Sequence, residues 1–246
     1  MAISANADQQ LKLLDLAAID TKLMQLNHQR AGVPEIKLTQ DLEIELGSIE
    51  LKIVAADTEV SDLTQSQAKA ESDVEQVAAR IAKDQAKLDG GQASPKELEG
   101  LQHELGTLAN RLSELEDVEL EVMQQLEDAQ NAYETLTHDR NKVATELTEA
   151  KSILNSKLAD LDLQITTEKS NKDSILSELP KELADLYEKV RLDHGDVGAA
   201  KLEKGSCQGC NIALDATELN RIKTLPAETV LRCEECRRIL VRVAGA

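Results

Sequence analysis

The chain has no phenylalanine and no tryptophan, and Tyr133 and Tyr187 are its only aromatic residues. Leu, Ala, Glu, Asp, Lys and Gln dominate instead, a mix that suits long helices and does not describe a globular core. Basic charge is also scarce. Against 46 Asp and Glu stand 28 Lys and Arg, a formal net charge of -18, which opposes non-specific binding to nucleic acid or anionic membrane by the chain as a whole. Apolar runs stay far below the roughly 18 residues that cross a bilayer, and the N-terminus lacks a basic leader segment. A cytoplasmic protein with no membrane partner is the expectation. Phosphate-cradling glycine loops and paired carboxylates are missing, and His28, His103 and His138 are scattered. The chain therefore reads as non-enzymatic, without a small-molecule substrate.

What the chain does have is heptads. Residues from about Asp8 to Arg30 show helical spacing through Leu11, Leu14, Ala18, Leu16, Ile19, Leu23 and Leu26. Gly32-Val33-Pro34 predicts a kink. Beyond it Leu42, Leu46, Ile49, Ile53, Ala56, Val60, Leu63, Gln67, Ala70, Val74, Val77, Ile81, Asp84 and Leu88 alternate by four and three, the seam of a coiled coil. Two glycines follow Asp89, and Ser94-Pro95-Lys96-Glu97 has the form of a capping box opening a second series from Leu98 to Leu154. Gln67, Asp84, Glu119 and Arg140 interrupt the two seams and read as register-setting residues.

Matched arms on either side of a Gly-Gly turn predict an antiparallel hairpin over residues 1–179, with a kink near 32–34 and a tip near 89–95. Residue i should face roughly residue 186 minus i, which sets Asp8 opposite Glu178. An intermolecular coiled coil through the same seam is the alternative. Each arm of about 80 residues would be on the order of 120 Å long at 1.5 Å per residue.

All four cysteines lie near the C-terminus, as Cys207-Gln208-Gly209-Cys210 and Cys233-Glu234-Glu235-Cys236. Two such pairs form knuckles whose thiolates converge on one tetrahedral Zn²⁺. A redox dithiol or local disulfides are the competing readings. His194 precedes the first knuckle by thirteen residues, so the site is closed and its zinc structural. Residues 180–246 thus read as a short helix plus a four-cysteine zinc ribbon. Strands are expected at Val197–Leu202, Val230–Arg232 and Arg238–Arg242, and a capping box at Asp215–Glu218. The fold class is mostly α: a long antiparallel coiled-coil hairpin followed by a small β-rich ribbon.

Taken in order, these pieces resemble a bacterial family of four-cysteine zinc-ribbon proteins with an N-terminal coiled-coil hairpin. The resemblance rests on Pro95-Lys96-Glu97-Leu98 with Leu101-Gln102-His103-Glu104, on Leu183 to Tyr187, and on the two knuckles with Arg238-Ile239-Leu240. It implies a non-enzymatic adaptor. Some members are chaperone-like factors for flagellar or type III secretion components, and RNA or sigma-factor binding is attributed to others. Two departures stand out. Arg237 occupies a position after the last Cys that is usually glycine, and Leu214-Asp215-Ala216 replaces a Leu-Pro-Pro. Glycine at the first of these commonly serves a positive φ.

Two functional classes follow. In the first the hairpin and ribbon hold protein partners and zinc is structural. In the second the ribbon binds RNA or DNA through Arg221, Lys223, Arg232, Arg237, Arg238 and Arg242. Residues 201–246 carry eight Lys and Arg against six Asp and Glu, leaving -20 on residues 1–200. Against nucleic acid stand this modest excess and the absence of any ribbon aromatic for base stacking. Whether two hairpins associate is left open by the sequence.

Overall fold

The computed structural model describes residues 3–91 and 94–243. Gln92 and Ala93, where the sequence sets the tip, lie outside the described residues. Helix α1 spans Ala7–Ala31, α2 Pro34–Asp89 and α3 Pro95–Ser177. Asn6 caps α1, accepting from Gln9 N–H while the Gln9 side chain accepts from Asn6 N–H. At the sequence-expected break, Gly32 ends α1 with its N–H on the carbonyls of His28 and Gln29, and Pro34 opens α2, a position where its missing N–H costs nothing. Glu97 accepts from Ser94 N–H at 2.8 Å, one half of the expected capping box.

The chain divides into two compact units. One comprises residues 37–151. In it Leu42 and Ile49 of α2 pack with Val143, Leu147 and Ala150 of α3, so the seam joins two segments of one chain, as the hairpin reading requires. Ion pairs Glu43–Lys151 and Glu50–Arg140 flank it. Asp84, an interruption in the seam, is fully buried and held by Arg80 at 2.6 Å and Lys87 at 2.8 Å. Lys87 first, then Arg80, keep its carboxyl below the usual range.

The other unit comprises residues 1–36 and 152–246, and here α1 and the start of α2 lie against the end of α3. The paired numbers total 190 for Lys12–Glu178 and Lys22–Glu168, and 192 for Arg30–Asp162 and Glu35–Lys157. In this unit the arms are therefore displaced by four to six positions from 186 minus i, and Glu178 meets Lys12, not Asp8, whereas Arg80–Glu104 near the tip totals 184. Apolar spacing alone fixes this register only loosely, because a slide of three or four positions exchanges one kind of seam position for the other and keeps apolar residues facing each other.

After Leu179-Pro180, α4 spans Lys181–His194 and ends on Gly195, whose φ of 72° is the left-handed cap that suits glycine. The ribbon follows as β1 Ala199–Glu203, β2 Ser206–Cys207, β3 Ile212–Ala213, α5 Ala216–Thr224, β4 Leu231–Arg232 and β5 Ile239–Arg242. The sheet order is β3-β2-β1-β5-β4, with β1 and β5 parallel and the other neighbours antiparallel. Strand β5 is buried on both faces, and β1 is buried at Ala199, Ala200 and Leu202 while Lys201 is exposed. Ala199, Ile239 and Val241 enter a core with Leu13, Leu16, Leu179, Leu183 and Tyr187, whereas Ala200, Leu202 and Leu240 join Cys207, Cys233, Ile222 and Leu231. The period-two alternation of a strand thus gives one face to the helices and the other to the cysteines.

Candidate metal centre and the base that carries it

Each cysteine pair sits in a hairpin turn of the same construction. In the first knuckle Asn211 has φ 58° and its N–H donates to the Cys207 carbonyl at 2.8 Å. In the second Arg237 has φ 62° and donates to the Cys233 carbonyl at 2.9 Å. The turn the glycine would have served is therefore kept, with an arginine held in the left-handed region at a cost of about 1–2 kcal/mol. Arg232 braces it, donating from Nε to the Arg237 carbonyl at 2.9 Å.

The four Sγ atoms all lie within 4.8 Å of one another. Cys207 and Cys236 are 3.8 Å apart and Cys210 and Cys233 3.9 Å, and all four are free thiols. Sulfurs at about 2.3 Å from a tetrahedral ion are separated by about 3.8 Å, so the donor set and the two closest spacings fit zinc. Backbone N–H groups of Gly209 and Cys210 are aimed at Cys207, those of Glu235 and Cys236 at Cys233, and that of Arg238 at Cys236. Such donors favour thiolate. Burial opposes them, pushing the Cys207 thiol up to about 12 and raising Cys233. At Cys236 burial also opposes ionisation, but donation from Arg238 and the neighbouring thiols prevails and its pKa falls.

The remaining candidates scatter over the ribbon. Arg221 is clamped by the buried Glu218 through two bonds of 2.6 Å, so the Glu218 carboxylate is spent on Arg221 and only half of the expected capping box forms; Asp215 caps α5, accepting from Glu218 N–H at 2.8 Å. Arg242 donates to the carbonyls of Ile222, Leu225, Pro226, Ala227 and Thr229, tying β5 to the loop after α5. The Arg238 side chain is only 11% exposed. Its guanidinium reaches Asp196 and the carbonyls of Val197 and Gly209. Lys223, Arg232 and Arg237 are exposed and lack a carboxylate partner among the described residues.

Sequence reasoning overlooked the polar hub beneath the ribbon. The fully buried Tyr187 donates to Asp20 Oδ2 at 2.6 Å, and Lys172 Nζ meets Asp20 Oδ1 and Glu188 at 2.7 Å. Burial, then the bond to Asp20, holds the Tyr187 phenol well above its ordinary pKa. A charged residue beside Ile19 in an apolar stripe, and a lone tyrosine whose hydroxyl needs a partner, were the available signals. Gly198 packs so closely on Tyr187 that a Cβ there would lie 2.5 Å from its carbonyl oxygen. The N-terminus closes the base: Ser4 bridges Thr229, Ala5 N–H donates to Glu228, and Gln10 Nε2 reaches the carbonyls of Ala5 and Ala227.

A helical hairpin whose base is fused to a four-thiol ribbon defines a class of metal-stabilised architecture. Comparison with known proteins specifies it further. The family model of the CT398-like coiled coil hairpin domain matches residues 16–195, and that of the C4-type zinc ribbon domain residues 206–240. The chain belongs to the CT398-like hairpin family, and its cofactor is one structural zinc ion. The uncharacterized Mycobacterium tuberculosis protein Rv2229c is 31% identical over 243 residues, 99% of both chains. A solved structure from Mycobacterium smegmatis is similar at TM-score 0.81 and 31% identity, covering 98% of this chain and all of that one. CT398 from Chlamydia trachomatis shares the fold at TM-score 0.65 and 16% identity, over 96% of this chain and 98% of that one. No helix among the described residues is long and apolar enough to cross a membrane.

Proposed function

We propose that the protein is a non-enzymatic adaptor that binds protein partners. Cys207, Cys210, Cys233 and Cys236 ligate the zinc, which fixes the ribbon on the hairpin base, and the acidic hairpin offers the binding surface. The observation that carries this reading is the use of ribbon cations for internal support. Arg221, Arg238 and Arg242 are engaged by Glu218, by Asp196 and two carbonyls, and by five carbonyls. A phosphate backbone would have to compete for them. The family assignment and the closed thiol set fit the same reading.

Titration with mixed RNA and DNA at about 50 and about 200 mM salt is the test. Absence of binding at the lower salt, together with cross-linking of the full chain to proteins in extract, supports the adaptor. Tight binding that weakens steeply with salt and depends on Lys223, Arg232 and Arg237 replaces it with the nucleic-acid reading.

A further inference from the structure

Helix α2 carries two apolar stripes, and the hairpin uses one. Leu42 and Ile49 are buried against α3, with Leu46 and Ile53 packed beside them. On the other side Ile44, Leu51 and Val54 are 72%, 75% and 66% exposed. At about 100° per residue the positions 44, 47, 51, 54 and 58 fall within an arc of about 80°, turned away from the first seam. Their spacing alternates three and four, the pattern of a second coiled-coil seam.

Gly47 lies in the middle of that stripe. Glycine inside a helix lowers its stability relative to alanine, yet a Cβ at position 47 would meet nothing within 4 Å. No contact within the described chain asks for a missing side chain there. Between Ile44 and Leu51 it leaves a notch, which a side chain entering from outside would fill.

The surroundings select what could enter. Residues 40–59 hold six acids, Asp41, Glu43, Glu45, Glu50, Asp57 and Glu59, against the single base Lys52. Residues 37–151 together hold 26 acids and 11 bases, or -15 of the chain's -18. A second copy of this face would set acid on acid, and an anionic polymer or membrane would be repelled. Extending the adaptor reading, we propose that the outer face of α2 from Gln40 to Thr58 docks a basic amphipathic helix of a partner protein. Ile44, Leu51 and Val54 act as knobs and Gly47 as the hole.

The test pans zinc-loaded full-length protein against a library of helical peptides of about 21 residues. Enriched peptides are then titrated by fluorescence anisotropy against the parent protein, Ile44→Ser/Leu51→Ser, Gly47→Met and the exposed-site control Leu163→Ser, with circular dichroism confirming helicity. Support is enrichment of peptides rich in Lys and Arg with apolar residues at three-four spacing. These should bind the double variant and Gly47→Met at least about tenfold more weakly, and the control unchanged. Enriched peptides that are acidic or neutral, or that bind the double variant equally well, overturn the proposal while leaving the adaptor reading intact. A parent dimer in sedimentation equilibrium that Ile44→Ser/Leu51→Ser abolishes assigns the face to a second copy instead. Failure to capture any peptide or any protein removes both readings.

Discussion

Replacing Arg238 by alanine separates its support role from a nucleic-acid contact. The guanidinium links three sites distant in sequence: Asp196 after α4, the Val197 carbonyl leading into β1, and the Gly209 carbonyl of the first knuckle. Its Cδ would lie 3.0 Å from a Cβ placed on Gly209, so the aliphatic stem also covers the knuckle. Truncation takes this donor from two carbonyls and leaves the Asp196 carboxylate with only the Val197 N–H. Each carbonyl bond is long, at 3.2 Å, and worth about 0.5–1 kcal/mol. Loss of the partner of a largely buried charge costs about 3–5 kcal/mol, reduced here because the Asp196 side chain is 34% exposed. A total near 3 kcal/mol raises the open population of the knuckle about a hundredfold at 1.36 kcal/mol per decade. Zinc transfer to a chromogenic chelator, followed where opening limits the rate, should accelerate by that order. Arg238→Lys, which keeps the charge and loses the fork, should fall between. Release within about twofold of the parent protein would refute the reasoning. Weakened RNA or DNA binding with unchanged release would assign Arg238 to the ligand instead.

Other perturbations follow the same logic. Arg237→Gly removes a side chain from the left-handed region and should stabilise the ribbon by about 0.5–1 kcal/mol, read as slower zinc release. Tyr187→Phe deletes the donor to Asp20 and should cost about 1.5–2 kcal/mol, lowering the thermal midpoint by about 5 °C; an unchanged midpoint would show that Lys172 alone satisfies Asp20. Asp84→Leu exchanges a buried carboxylate for a seam residue, and the melting temperature should hold or rise. Removing zinc should expose amides around Cys207, Leu202 and Leu240 to hydrogen exchange while the near-ultraviolet dichroism of Tyr187 persists, since that side chain belongs to the core facing the helices.

Elements built on local rules were legible. Heptad spacing, Pro34 and Pro95 at the start of helices, Asp215 as a cap and the two knuckles each draw their meaning from residues a few positions apart. The parallel pairing of β1 with β5 was not legible, because hydrophobic pattern alone does not say which strand neighbours which. Nor was the register of the arms, since a slide of three or four positions keeps apolar residues facing each other. The sulfurs were readable from spacing alone. The arginines were not, for Arg238 and Arg242 are used by carbonyls up to 41 residues away, and a basic residue looks the same in sequence whether solvated or enclosed.

The departure at Arg237 shows where resemblance and physics part. A glycine-poor turn argues against the usual backbone only if nothing else holds it, and here the Cys233 carbonyl, Arg232 and the sulfurs hold it together. The same economy governs the base. Of two aromatic side chains, the chain buries Tyr187 completely and sets it against Gly198, beside the strands whose other face lines the cysteines. Ile239 and Val241 touch the helices while Leu240, between them, touches the thiol side. Strand β5 is thus a wall one residue thick between two cores that share no buried side chain. Zinc accordingly orders the face of the sheet that lines the cysteines, while Ala199, Ile239 and Val241 keep the opposite face packed on the helices when the ion leaves.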